Sequence, residues 1–242
     1  MILFIFGLIV GSFLNVVIYR VPRGESIVLP PSHCPNCNHR LKWLDLFPVL
    51  SFLYLKGRCR YCNAVIGLRY PLVELLTAFL SVLTWWRFGW SLDFGVYLVF
   101  VYVLIGIALI DFDHQIIPNC LSYPTIVIGT IFSIFQGRLG EALVGGIIAG
   151  GLLLLVALIY PKGMGMGDVK YLALVGVFLG LEKALYVLFL GSVFGVLIIM
   201  PMMLMKRFVR SQPFAFGPFL VIATLVIMFC DPLIAWIHRL YQ

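Results

Sequence analysis

Residues 140–160 read GEALVGGIIAGGLLLLVALIY, a stretch in which Glu141 is the one charged residue and all others are small, apolar or aromatic. A helix of that length rises about 30 Å, which matches the ~30 Å hydrocarbon core of a bilayer. Seven further stretches of similar character stand at about 1–19, 71–88, 94–111, 118–136, 169–181, 184–205 and 214–236. The 242 residues are 62% hydrophobic and 11% charged, with a mean hydropathy of +1.08. A soluble domain of this size could not hide so much apolar surface from water. The fold class predicted is an all-α polytopic membrane protein of about eight transmembrane helices.

The first stretch, residues 1–19, is a retained span rather than a secretion signal. It lacks a basic start, and Gly11-Ser12-Phe13-Leu14-Asn15 is not a cleavage site. The formal charge of +7 suggests nucleic acid until the positions of the basic residues are considered. With the N-terminus outside, Arg87, Arg138, Lys183 and Arg239 fall in outer segments, and the other thirteen of 17 basic residues fall inside. That asymmetry follows the positive-inside rule, so the charge needs no nucleic-acid partner. Trp85, Trp86 and Trp90 fit an interfacial aromatic belt at the outer end of the second span. Glycines at 145–146, 150–151, 176, 180, 191 and 195 are read as helix-packing faces.

Residues 20–70 break the apolar pattern with Pro22, Gly24, Pro30, Pro31, Pro35, Pro48 and Gly57 and a concentration of Lys and Arg. The organisation expected is a first helix (1–19), a cytoplasmic domain (20–70) and a helical bundle (71–242). Within the domain, Cys34-Pro35-Asn36-Cys37 and Cys59-Arg60-Tyr61-Cys62 form two Cys-x-x-Cys pairs separated by 21 residues. Two such turns converge four thiolates on one tetrahedral Zn2+, a closed structural site with no open position for chemistry. His33 and His39 are substitute ligands at most. A cytoplasmic location argues against disulfides, and a redox protein would leave the second pair unexplained. Cys120 and Cys230 read as small buried residues.

Two acidic residues stand in unusual surroundings. Asp111-Phe112-Asp113-His114-Gln115-Ile116-Ile117-Pro118-Asn119 closes one span and opens the next, and Gly163-Met164-Gly165-Met166-Gly167-Asp168 leads into another. Both lie on the inner side of the topology derived from Lys and Arg. Glycines there allow backbone conformations that other residues avoid and close approach of a peptide. Two carboxyls in low dielectric cannot both ionise easily, so one keeps a proton. One can then activate a water while the other polarises an amide carbonyl, as in an aspartyl peptidase. Asp113 competes with Asp111, because helical residues two apart point about 200° from each other. A metal site of Asp111, His114 and Asp168 is a further alternative, since residues i and i+3 share a face.

With these segments the chain resembles the type IV prepilin peptidase family, bifunctional leader peptidases and N-methyltransferases of bacterial inner membranes. The resemblance runs over nearly the whole chain. It includes Gly11-Ser12-Phe13-Leu14-Asn15 through Arg20, both Cys-x-x-Cys pairs, Arg69-Tyr70-Pro71-Leu72-Val73-Glu74, Asp111 to Asn119, and Gly165-Met166-Gly167-Asp168-Val169-Lys170. It implies that Asp111, seven residues before Pro118, and Asp168 of the Gly-x-Gly-Asp motif are the catalytic pair. It implies prepilin or type II secretion pseudopilin substrates cut after glycine on the cytoplasmic side. It also implies N-methylation of the new terminus with S-adenosyl-L-methionine. Lys56, Gly57 and Glu74 lie near the cytoplasmic domain and are candidates for the methyl-donor region. The alternative is a non-enzymatic protein: a transporter, or an assembly factor with a zinc-ribbon adaptor. A transporter would place its acids near mid-span, and an adaptor leaves the aspartates without a role.

Overall fold

The computed structural model describes residues 1–160, 164–204 and 215–240. Its elements are helices and turns, and among the described residues the strand-like pairing is limited to two isolated bridges. The chain divides into two compact units, Met1–Leu98 and Val99–Gln242.

The first unit contains α1 (Ile2–Arg20), the short α2 (Leu50–Tyr54), α3 (Arg69–Phe88) and the start of α4 (Leu92–His114). α1 lies directly on α3, and two glycines one turn apart explain how. A Cβ at Gly7 would fall 2.5 Å from the Ala78 Cα, and one at Gly11 would fall 2.7 Å from the Glu74 Cα. Those are backbone atoms, which cannot step aside, so only glycine permits this approach. On the facing side of α3, the buried hydroxyls of Thr77, Ser81 and Thr84 donate to the carbonyls of Val73, Thr77 and Leu80 at 2.7, 2.6 and 2.7 Å. Their burial therefore leaves no donor unpaired. The outer face of α1 presents Phe4, Ile5, Phe6, Ile9 and Phe13, all exposed. Small residues inside and large apolar ones outside is the pattern of a helix solvated by lipid.

Between α1 and α3 the chain makes the same loop twice. Cys34 donates its N–H to the His39 carbonyl, and Cys59 donates to that of Ala64. Asn38 and Asn63, each directly after a Cys-x-x-Cys, turn the chain at φ +54° and +57°, a region that asparagine tolerates better than most residues. Antiparallel bridges His33–Arg40 and Arg58–Val65 close the two loops.

The second unit holds the rest of α4, α5 (Asn119–Phe135), α6 (Leu139–Ile159), α7 (Met166–Leu179), α8 (Leu181–Leu204) and α9 (Gly217–Leu240). α7 is its centre. Tyr171, Leu172, Leu174 and Val175 are fully buried, as expected of a helix that is apolar all round. Gly145 of α6 and Gly176 of α7 meet backbone to backbone, so a Cβ on either would enter the other chain. One turn away, a Cβ at Gly150 would come within 2.8 Å of the Ala173 Cβ. Phe100 stacks on Phe178 with centroids 4.1 Å apart, joining α4 to α7. Tyr171 and Thr224 share a buried 2.7 Å hydrogen bond that joins α7 to α9. Of the glycines read as packing positions, 145, 146, 150, 176 and 191 are at close helix contacts, whereas Gly151 and Gly180 face open space.

Among the described residues, each of the eight apolar stretches overlaps one helix of 14 residues or more. Among the described residues, Ile2–Arg23, Leu92–His114, Leu139–Ile159 and Leu181–Pro201 are long and apolar enough to cross a membrane, and Asn119–Phe135 and Gly217–Cys230 are shorter apolar helices. α3 lowers its hydropathy with the polar residues it buries against α1. α7, with 14 residues, rises only about 21 Å. The protein is an all-helical membrane protein. Lys162, Lys206, Arg207 and Arg210, used in reading the topology, lie outside the described residues.

Candidate active site and metal centre

Asp111 sits in the last turn of α4, where its carbonyl accepts the N–H of Gln115, a residue turned to φ +55° that ends the helix. Its side chain is 6% exposed. The carboxylate Oδ2 accepts a hydrogen bond from the backbone N–H of Gly217 at 2.9 Å. Asp113 and His114 are both exposed. After the turn, Ile117 is buried and Pro118 takes the extended conformation that opens α5 at Asn119.

Asp168 occupies the first turn of α7, with its N–H directed to the Gly165 carbonyl at 3.2 Å. Gly165 and Gly167 do not work through unusual dihedrals. Gly165 is an ordinary extended residue at φ −79° and ψ 143°, and Gly167 is helical. The contribution of Gly167 is space: a Cβ there would lie 3.2 Å from the Ile117 Cβ. The missing side chain lets the first turn of α7 rest on the loop that follows Asp111. Gly163 lies outside the described residues. The Lys170 ammonium reaches the Asn119 Oδ1 at 2.5 Å, which further ties the starts of α5 and α7. Asp168 thus stands in the helix turn that rests on the loop directly after Asp111.

Gly217 was not among the residues singled out from sequence. The available signal was Gly217-Pro218 heading an apolar stretch, a usual way to begin a helix. That signal locates a helix start but says nothing of an aspartate more than a hundred residues earlier.

The Sγ atoms of Cys34, Cys37, Cys59 and Cys62 all lie within 4.8 Å of one another. The Cys34 and Cys62 sulfurs are 3.9 Å apart. Tetrahedral Zn2+ with bonds of about 2.3 Å sets sulfurs about 3.8 Å apart, whereas a disulfide would need about 2 Å. The Ala64 N–H, against the cost of burial and with help from Asn36, draws the Cys62 thiol down to about 7. The His39 N–H acts the same way on Cys37, but burial and the neighbouring sulfurs of Cys62 and Cys34 push that thiol up to about 11. Four crowded sulfurs resist carrying four charges by themselves, and a divalent cation relieves that conflict. His33 and His39 are not in the cluster; His39 stacks on Tyr61 at 3.7 Å.

Beside the cysteines, within the first unit, is a cavity of about 280 Å³. Ser12, Asn15 and Arg20 of α1, Tyr70 and Glu74 of α3, and Phe52 line it. Glu74 is buried, and its carboxylate accepts the Val49 N–H at 2.7 Å and the Ser12 hydroxyl. Lys56 and Gly57 are not on the wall. Lys56 is exposed, and Gly57 turns at φ +69° behind Phe52, whose ring would lie 3.1 Å from a Cβ at 57.

Residues 5–88 match the family described as Bacterial Peptidase A24 N-terminal domain, and residues 98–200 match the Type IV leader peptidase family. The chain is similar to the prepilin leader peptidase/N-methyltransferase of Aeromonas salmonicida (strain A449), 36% identical over 270 residues, covering 96% of this chain and 91% of the relative. The Pseudomonas aeruginosa protein of the same name is 35% identical over 90% of this chain and 85% of its own. That of Myxococcus xanthus is 40% identical over 81% of this chain and 61% of its own. No solved structure matches the chain.

Proposed function

Because the chain belongs to the type IV leader peptidase family, we propose that it is a membrane-embedded aspartyl endopeptidase acting on prepilins or pseudopilins. It cleaves the basic leader after glycine and then methylates the new N-terminal residue from S-adenosyl-L-methionine. The observation that carries this reading is the buried Asp111 at the end of α4, followed by a loop on which the first turn of α7, with Asp168, rests.

In this reading the pair shares one proton. The carboxylate of Asp111 takes a proton from water as the oxygen bonds to the scissile carbonyl carbon. The Asp168 carboxyl gives its proton to the carbonyl oxygen, producing a neutral gem-diol. Asp111 then passes its proton to the amide nitrogen, the C–N bond breaks, and Asp168 recovers its proton from the gem-diol hydroxyl. Water and the peptide bond are consumed, and both carboxyls return to their starting states. The preference for Asp111 over Asp113 is supported by burial of the first and exposure of the second.

Zn2+ would be held by Cys34, Cys37, Cys59 and Cys62, where its binding energy is folding energy for a segment with little core of its own. For the second reaction, the methyl donor supplies a methyl group to the free amine. Glu74 would meet the donor in the cavity, and Gly57 would shape the same wall through Phe52. Lys56 stands outside, at most at the approach. Eight crossings with the N-terminus outside, in a bacterial inner membrane, put both aspartates at the cytoplasmic face where a leader can reach them. The distribution of Lys and Arg supports that orientation.

The test is mass spectrometry of a prepilin incubated with the purified protein and S-adenosyl-L-methionine. A product shortened at the glycine and heavier by one methyl group is expected. Intact prepilin after prolonged incubation would overturn the reading.

A further inference from the structure

The matched family region ends at residue 200, yet a backbone N–H that reaches the Asp111 carboxylate at 2.9 Å comes from residue 217. We infer that the start of α9 belongs to the active site. Gly217 is a positioning residue: its N–H holds Asp111 Oδ2, and its missing side chain leaves room for that carboxylate. The inference rests on the peptidase reading above.

Two independent features support it. The first is direction. A backbone N–H can only donate, so Oδ2 accepts from it, which favours Oδ1 as the oxygen that exchanges a proton with water. The second is space. A Cβ at position 217 would lie 2.6 Å from Asp111 Oδ2, 3.0 Å from Cγ and 3.2 Å from Cβ. Three atoms of one side chain would be displaced together. α9 cannot easily yield instead. Leu220 packs on Gly191 of α8, where a Cβ would come within 3.3 Å of the Leu220 Cα, and Thr224 is bonded to Tyr171 of α7. An added methyl therefore moves Asp111 rather than the helix. Displacing a reacting group by about 1 Å costs on the order of a hundredfold in rate.

The experiment compares Gly217→Ala with the wild type and with Gly151→Ala, a helical glycine that faces open space. In Gly217→Ala, kcat for leader cleavage should fall about 100-fold with KM within about twofold, as expected when only reacting geometry is lost. Thermal midpoint should stay near that of Gly151→Ala. An unchanged kcat, a loss confined to KM, or a parallel fall in thermal midpoint would overturn the assignment. A second measurement does not depend on activity or on folding of that variant: amide exchange in peptides covering residues 215–220. It should rise about tenfold or more in Asp111→Ala and stay at the wild-type rate in Asp168→Ala. Equal rates in Asp111→Ala and wild type would refute the contact even if cleavage behaved as proposed. Conversely, full cleavage by Asp111→Asn would refute the peptidase reading and leave the contact standing.

Discussion

The carboxylate of Glu74 accepts the backbone N–H of Val49 at 2.7 Å, fastening α3 to the cysteine-bearing segment. Val49 sits at φ +59° and ψ −47°, a conformation that a β-branched residue adopts only when its surroundings impose it. Glu74 is thus both an anchor for a strained backbone and the acidic wall of the cavity. Replacing it with Ala leaves a half-buried N–H without this acceptor, at up to about 1–3 kcal/mol.

Glu74→Ala should therefore lower methylation about tenfold or more while cleavage stays within about twofold. Glu74→Gln, which keeps an acceptor oxygen but no charge, separates the two roles. If charge meets the donor, Glu74→Gln should be as deficient in methylation as Glu74→Ala; if anchoring is the whole role, it should methylate normally. Mass spectrometry of cleaved pilin reads both products, and cleavage lost in parallel with methylation would sink the division of labour.

Asp111→Asn and Asp168→Asn should each reduce leader cleavage about a thousandfold, within the range that acid–base groups contribute. Asp113→Asn should remain within about threefold of the wild type, because its side chain is exposed. Supplying pilin already lacking its leader bypasses the first reaction, and methylation of it should persist in all three variants. Persistent cleavage in Asp111→Asn with loss in Asp113→Asn would reverse the choice of partner.

Much of this was legible along the chain. The eight apolar stretches became eight helices, since length and hydropathy are local properties. The paired Cys-x-x-Cys turns were equally legible, and the asparagine after each marks the turn. What could not be read were contacts set by packing. Gly7 and Gly11 look like any two small residues in an apolar run until α3 is laid against them. Helical geometry separated Asp111 from Asp113 without ranking them, and the burial of one reflects the arrangement of the whole second unit. The glycines before Asp168 suggest conformational freedom and room for a peptide; Gly165 and Gly167 take ordinary dihedrals. Gly167 instead permits close approach to Ile117, which depends on a loop some fifty residues away. Gly217 is the clearest case, because no local pattern announces what a backbone N–H will face.

Cys34→Ser should reduce bound zinc from about one per chain to a small fraction of that, because three thiolates do not complete a closed tetrahedral site. Elemental analysis of the purified protein reads it directly. Limited proteolysis should then cut between residues 21 and 68, where metal binding supplies the missing core. Unchanged zinc content would remove the four-thiolate site.

Asp45 provides a dependence on pH with a definite sign. Its side chain, 4% exposed, accepts the Arg60 Nε–H at 2.7 Å, the Tyr61 hydroxyl at 3.1 Å and the Lys42 N–H at 3.0 Å. Burial pushes its carboxyl up, but the Lys42 N–H, Arg60 and Tyr61 outweigh it and hold the group below the usual carboxylate range. A value lower in the folded than in the unfolded chain means the ionised form contributes stability above the unfolded value, about 4. That contribution is lost as pH falls through the unfolded value toward the folded one. Asp45→Asn cannot titrate, so it should lower the thermal midpoint at pH 7 and narrow its gap to the wild type between about pH 5 and 3. Acid also protonates the zinc-binding thiols, so the two proteins are compared at matched metal content. A gap that stays constant down to pH 3 would show that the Asp45 contacts contribute nothing that depends on its charge.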